Sequence, residues 1–183
     1  MLLAVVLDFV SIFDLCATAN AQVGNIEIMH IALIEPEIPG NTGSIGRVCV
    51  GTGTSLHLIG KLGFSLDESY VRRAGLDYWK HVDLHRHADV DGLIAALPNC
   101  RLHFFTARHE MQPTPQRYDK IAYHHEDILV FGSETKGFTP EIRQRFGAHF
   151  VHVPTNGQIR SLNLANVVTA ALYEALRQQD FPV

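Results

Sequence analysis

From Met29 onward, short apolar runs rich in Ile, Val and Leu alternate with helix-length segments, and this alternation limits the fold more than any other feature. Strands joined through helix-length connections pair in parallel, and a parallel sheet needs cover on both faces. The pattern predicts strands over His30–Glu35, Leu56–Gly60, Leu102–Thr106, Asp127–Gly132 and His149–Val153. It predicts helices over Thr42–Thr52, near Asp67–Ala74, and over Asp89–Leu97, Pro140–Phe146 and Asn163–Gln179. Thr139, Pro140 and Glu141 supply an N-cap, a proline at the first helical position and an acid in the first turn. In the last helix, Leu164, Val167, Val168, Ala171, Leu172, Ala175 and Leu176 form one apolar stripe suited to packing on the sheet, and its alanines also permit a dimer contact. The fold class is therefore α/β, a parallel sheet covered by helices on both faces.

At 183 residues, with 46% hydrophobic and 19% charged residues, the chain is long enough for one buried core and lacks a disordered composition. The net charge of −4 provides no bulk basic field, so contact with nucleic acid must use local basic patches. Cys16, Cys49 and Cys100 form no CxxC pair, which fits a reducing cytosol. His81, His85 and His87 are the densest histidine group; an i, i+4 pair could bind metal if helical, but no acidic or thiol cluster accompanies it, and a solvated or hydrogen-bonding role without metal is the reading adopted.

The first 28 residues look at a glance like a secretory signal. However, no Lys or Arg precedes the apolar run, Asp8 and Asp14 interrupt it, and it is too short and too charged to span a bilayer. Residues 1–28 are read as an extension upstream of the true start, with Met29 opening a single domain over 29–183. No membrane partner is expected.

Three polar strings stand at strand ends, where an open parallel sheet places its ligand crevice: Asn41-Thr-Gly-Ser-Ile-Gly-Arg47, Phe131-Gly-Ser-Glu-Thr-Lys-Gly137 and Arg160-Ser-Leu-Asn163. In the first, Pro36 and Pro39 stiffen the turn into a helix, Asn41 offers a donor and an acceptor, and Arg47 offers a planar fork suited to phosphate; taken alone, an N-capping Asn and a surface Arg would explain them. In the second, glycine permits close backbone approach and Glu134 places a carboxylate at the strand end. Neither a Walker motif nor GxGxxG is complete, which removes most support for nucleotide hydrolysis or nicotinamide chemistry. In the third, Ser161 or Asn163 can cap the last helix, but a cap alone needs neither Arg160 nor such a long polar loop.

The succession NxGxxxR, FGxExxG and RSLN resembles the three motifs of the SPOUT RNA methyltransferases that modify ribose 2′-hydroxyls. Ile34-Glu-Pro-Glu-Ile-Pro39 and Arg72-Arg-Ala-Gly-Leu-Asp-Tyr78 are similar to the TrmL branch of that family, whose members act on the wobble cytidine or uridine, position 34, of tRNA. The resemblance runs from about Met29 to Phe181.

It implies an α/β fold with a carboxyl-terminal trefoil knot, and S-adenosylmethionine as methyl donor held by Phe105, Thr106, Gly132, Gly137, Val153, Ser161 and Leu162. It implies Arg47, Asn41, Glu134, Ser161 and Asn163 as the catalytic group. A guanidinium stays protonated to about pH 12, so Arg47 is better suited to gripping phosphate and orienting the ribose than to removing a proton. The resemblance also implies a cytoplasmic homodimer in which the first-motif arginine serves the partner's site, acting on the tRNA anticodon arm. Arg72, Arg73, Lys80, Arg108, Arg143, Arg145 and Arg160 are candidate RNA contacts, and Tyr78 and Trp79 could stack on a base or pack at a dimer contact. A relative acting on another tRNA position or on ribosomal RNA, and an RNA-binding dimer without catalysis, are the alternatives.

Overall fold

The computed structural model describes residues 29–65, 77–108 and 110–181. The segment 1–28, the helix expected near Asp67–Ala74, and Arg72 and Arg73 lie outside the described residues.

In chain order the elements are β1 (His30–Ile34), α1 (Pro39–Thr52), β2 (Ser55–Ile59), β3 (Leu84–His87), α2 (Val90–Ala96), β4 (Leu102–Phe105), β5 (Gln116–Arg117), β6 (Ile128–Phe131), α3 (Pro140–Arg145), β7 (Phe150–His152) and α4 (Leu164–Gln178). Single 3-10 turns occupy Trp79–His81, Tyr118–Lys120 and Gly147–His149. Among the described residues the strands form one sheet in the order β3-β2-β1-β6-β4-β7-β5, with every neighbouring pair parallel.

Alternate residues of the central strands enter two separate cores. Ile31 and Leu33 of β1 and Leu129 and Phe131 of β6 pack with α1 and α4, through Ile45, Cys49, Val168, Ala171, Leu172 and Leu176. Ala32, Ile34, Ile128 and Val130 face the other way, onto α2, α3 and the aromatic group of Phe104, Phe138, Phe146 and Phe150. Burial on both faces makes β1 and β6 continuously apolar, and for that reason they were readable.

Two strands were not expected. Strand β3 reads Leu-His-Arg-His at the sheet edge and β5 has only two exposed residues; neither carries an apolar run to announce it. Helix α1 also begins at Pro39, three residues before the expected Thr42. Proline's preset φ suits the first helical position, so Ile38 stands at the N-cap and Asn41 lies inside the first turn instead of capping it.

Candidate functional site

Because β1, β4, β6 and β7 are parallel, the segments that leave them emerge at one end of the sheet. A cavity of about 650 Å³ opens there, within the range of small-molecule sites. Its walls include Phe105 at the end of β4 and Thr106 after it, Gly132 to Phe138 after β6, Val153 after β7, Arg160 to Leu164 entering α4, and Ile38 and Asn41 at the start of α1. All seven residues expected around a donor line it, as do Asn41, Glu134, Ser161 and Asn163.

A row of hydrogen bonds ties the three loops together. Glu134 Oε2 accepts from the Glu37 amide at 2.8 Å, and Oε1 accepts from the Ile38 amide at 3.3 Å and from Asn41 Nδ2 at 3.0 Å. The helix start that lacks a side-chain cap of its own thus takes a carboxylate from a loop almost a hundred residues away. Asn163 Nδ2 donates to Asn41 Oδ1 at 2.9 Å. Asn163 Oδ1 accepts from the Ala165 and Asn166 amides at 2.9 and 3.3 Å, so Asn163 caps α4 and Ser161 stands free of that task, exposed at the cavity. Since a carboxylate only accepts, the donor-to-acceptor direction of the whole row is set from the Glu134 end.

Sequence reasoning missed the return clasp. The Glu37 carboxylate accepts from the Thr135 amide at 3.2 Å and from its hydroxyl at 2.6 and 2.8 Å. A glutamate ahead of a proline-opened helix hints at an anchored turn, but nothing local points to a partner across the sheet.

Backbone forms one wall. Gly132 abuts Gly137 so closely that a Cβ would come within 2.6 Å of the Gly137 carbonyl carbon, and Gly137 holds φ +65 with open space beside it. The Gly137 amide closes the turn by donating to the Ser133 carbonyl at 2.9 Å. Bare main chain facing Phe105, Val153, Leu162 and Val167 suits a flat ring, and the amides and hydroxyls at the ends suit polar termini.

The candidate cations divide. Arg108, Arg143 and Arg160 line the cavity, with Arg143 Nη1 donating to the Phe138 carbonyl. Lys80 is exposed on a 3-10 turn away from it. Arg145 is engaged elsewhere, in an ion pair with Asp91 at 2.6 Å and against the Phe146 ring. Arg47 does not line the cavity. Its guanidinium carbon lies 4.2 Å from the centre of the Tyr78 ring and its side chain is 65% exposed. Trp79, in its 3-10 turn, packs on Gly46 of α1, with one ring atom 2.6 Å from where a Cβ would stand.

The histidines form a cross-strand row. His81 lies in a 3-10 turn and His85 and His87 on β3, so they are not a helical pair. His57, only 3% exposed, bonds His30 Nδ1 through Nε2 at 3.0 Å and His87 Nε2 through Nδ1 at 2.9 Å. His85 stacks on His57 and pairs with Asp83 at 3.0 Å. Among the described residues, no group of three or more His, Cys, Asp or Glu is arranged to hold a metal ion. Burial, and then the neighbouring His30, His85 and His87, pull His57 down to about 3.

A cleft at the carboxyl ends of a parallel sheet, lined by bare backbone, amides and guanidinium groups, is a small-molecule site of the kind α/β proteins form. Residues 28–173 match the SpoU rRNA methylase family. The chain belongs to that family and is a methyltransferase. It is 43% identical over 155 residues to the tRNA (cytidine(34)-2′-O)-methyltransferase of Methylovorus glucosotrophus, covering 84% of this chain and 97% of that protein. It is 41% identical over 157 residues to the enzyme of the same name from Burkholderia pseudomallei, covering 84% and 97%. A solved structure bearing on the 2-OH methylation of C/U34 on tRNA superposes with a TM-score of 0.75 at 40% identity, covering 84% of this chain and 97% of that one. The SpoU methyltransferase AviRb of Streptomyces viridochromogenes, in complex with the cofactor AdoMet, superposes with a TM-score of 0.67 at 25% identity, covering 84% and 61%.

Proposed function

We propose that the protein methylates the ribose 2′-hydroxyl of the wobble nucleotide, cytidine or uridine 34, of tRNA, with S-adenosylmethionine as donor. The observation that carries this reading is the convergence of three loops on one cavity in a chain more than 40% identical to enzymes named for that reaction.

The donor fits the residues present: the bare turn Gly132–Gly137 and the apolar Phe105, Val153 and Leu162 accept a flat base, while Thr106 and Ser161 lie beside them. Bound there, it supplies an electrophilic methyl on a sulfonium. The residues of the chain supply position. Asn41, Glu134 and Asn163 fix the loops relative to one another, Arg108, Arg143 and Arg160 offer phosphate contacts at the cavity rim, and Arg47 grips the RNA phosphate so that the ribose oxygen faces the methyl. The hydroxyl proton passes to a neighbouring acceptor or to water, because a guanidinium is a poor base.

Two further features complete the reading. The carboxyl-terminal part is threaded as a trefoil knot, supported by the crossing order in which β4 lies between β6 and β7 in the sheet although it precedes both along the chain. The protein works as a cytoplasmic homodimer on the anticodon arm, each Arg47 serving its partner's cavity; the support is that Arg47 is well exposed and turned away from its own.

Labelled donor incubated with total cellular RNA, transfer and ribosomal RNA together, followed by mapping of the label, tests the function. Label on the ribose of nucleotide 34 is expected. Label at another tRNA position, in ribosomal RNA only, or nowhere would assign the chain to one of the alternative activities. Arg47→Ala should lower single-turnover transfer by about 100-fold or more while leaving donor affinity within about twofold.

A further inference from the structure

Arg47 carries a long side chain on the exposed face of α1, where an arginine ordinarily samples many rotamers. Three contacts work against that here. The Tyr78 ring lies under the guanidinium at 4.2 Å, within cation–π range. The Tyr78 hydroxyl donates to the Gly43 carbonyl of α1 at 2.6 Å, one turn before Arg47, so the ring is pinned to the helix that carries the arginine. Asp77 places a carboxylate oxygen 3.9 Å from the guanidinium and accepts from the Tyr78 amide at 3.0 Å. The next residue, Trp79, fills the space over Gly46 and fixes the segment from its other side. An exposed ion pair at this distance adds little by itself, so the ring is the principal support.

We propose that Tyr78 is a positioning residue: its ring, anchored on Gly43, forms a shelf that preorders Arg47 for the RNA phosphate before substrate arrives. The inference rests on the methyl-transfer reading for its catalytic consequence, but the arrangement itself exists without RNA. Preordering is useful because a misplaced guanidinium would leave the ribose oxygen out of line with the methyl, and small misplacements are costly. The bond to Gly43 sets where the ring stands; the face of the ring holds the arginine. Phenylalanine at this position loses the bond but keeps the face, with Trp79 still holding the segment against Gly46, whereas leucine removes the face.

The test follows Arg47 directly by 15N relaxation of its Nε–Hε group in the full-length protein, alongside single-turnover transfer to tRNA. In wild type and Tyr78→Phe, Arg47 should be ordered to nearly the level of the helix backbone; in Tyr78→Leu it should be as mobile as other exposed arginines. Transfer should fall about tenfold in Tyr78→Leu and stay within about threefold of wild type in Tyr78→Phe, with donor affinity unchanged in both. In an Arg47→Ala background the leucine substitution should cost nothing further. A mobile Arg47 in the wild-type protein overturns the proposal, even if Tyr78→Leu fails to fold. So does an Arg47 that remains ordered in Tyr78→Leu, or an equal loss of rate in the Arg47→Ala background. Methylation of a nucleotide other than 34 would overturn the substrate reading alone, since the relaxation measurement needs no RNA.

Discussion

Two polar networks close opposite ends of the same sheet, and they differ in what they leave available. At the amino end of β6, Asp127 is 1% exposed and its carboxylate accepts from Arg101 Nε and Nη2 at 2.8 and 2.6 Å, from His103 Nε2 at 2.9 Å and from the His124 amide at 2.9 Å. Both oxygens are engaged by the protein's own groups. At the carboxyl end, Glu134, Asn41 and Asn163 also join remote segments, but they do so on the wall of an open cavity. A satisfied buried network confers rigidity, whereas one that borders a cleft also fixes the shape offered to a ligand. Variants at the two ends should therefore separate stability from transfer.

The sharpest separation is expected from Asp127→Ala. It strands the His124 amide and removes the buried partner of Arg101, which is itself still 46% exposed and can rehydrate. A loss of about 3 kcal/mol, the low end for breaking a buried pair, should lower the melting temperature by about 10 °C. Transfer per folded molecule at low temperature should be unchanged; a lost transfer rate in the folded fraction would break the comparison. Gly132→Ala is the counterpart at the cleft. Its Cβ would meet the Gly137 backbone, where no side chain can give way, costing about 2 kcal/mol. Calorimetric titration should find donor affinity reduced by about tenfold or more, and unaltered affinity would mean that the glycine wall does not shape the donor site.

Acid should act on the sheet's histidine row before it reaches Asp127. His57 stays neutral down to about 3 in the folded protein, while the unfolded imidazole takes up a proton near 6.5. Between those values the unfolded chain binds more protons, so stability falls with falling pH, by up to about 1.4 kcal/mol per unit. His30 and His87, also lowered chiefly by burial, add in the same direction. For Asp127, burial works to raise the carboxyl, but the bonds from His103, Arg101 and the His124 amide prevail and hold it at about 2, below its ordinary 3.8. Its contribution is complete above that ordinary value and is lost only as pH falls toward 2. Urea unfolding at pH 7, 6 and 5 should show a declining midpoint that His57→Gln makes shallower; an equal slope in the variant would exclude His57 as the source. The smallest effect is expected from Asn163→Ala, which removes the cap of α4 for about 1 kcal/mol in the same urea assay. Because the same change cuts the link to Asn41, transfer should drop further than that stability loss accounts for.

The central strands were legible because both of their faces are buried, and β3 and β5 were not because edge strands need no apolar run. The helix start at Pro39 was misplaced since its cap is not local: the group that satisfies the Glu37 and Ile38 amides belongs to Glu134. Many of the motif residues line the cavity, among them Asn41, Gly132, Glu134, Gly137, Ser161 and Asn163, but the placement of the cations was not legible. Nothing in the sequence told that Arg47 would lie over a tyrosine ring, that Arg145 would be occupied by Asp91, or that Glu37 and Thr135 would clasp. Those are tertiary pairings, and spacing along the chain does not encode them.

The one-way row from Asn163 through Asn41 to Glu134 leaves its middle position intolerant of an acid. Hydrolysis of the Asn41 amide to an acid, a change of a single dalton, would set two carboxylates about 3 Å apart and replace attraction by repulsion. Neither sheet core contains Asn41 or Glu134, so the damage would fall first on the register of the loops around the cavity.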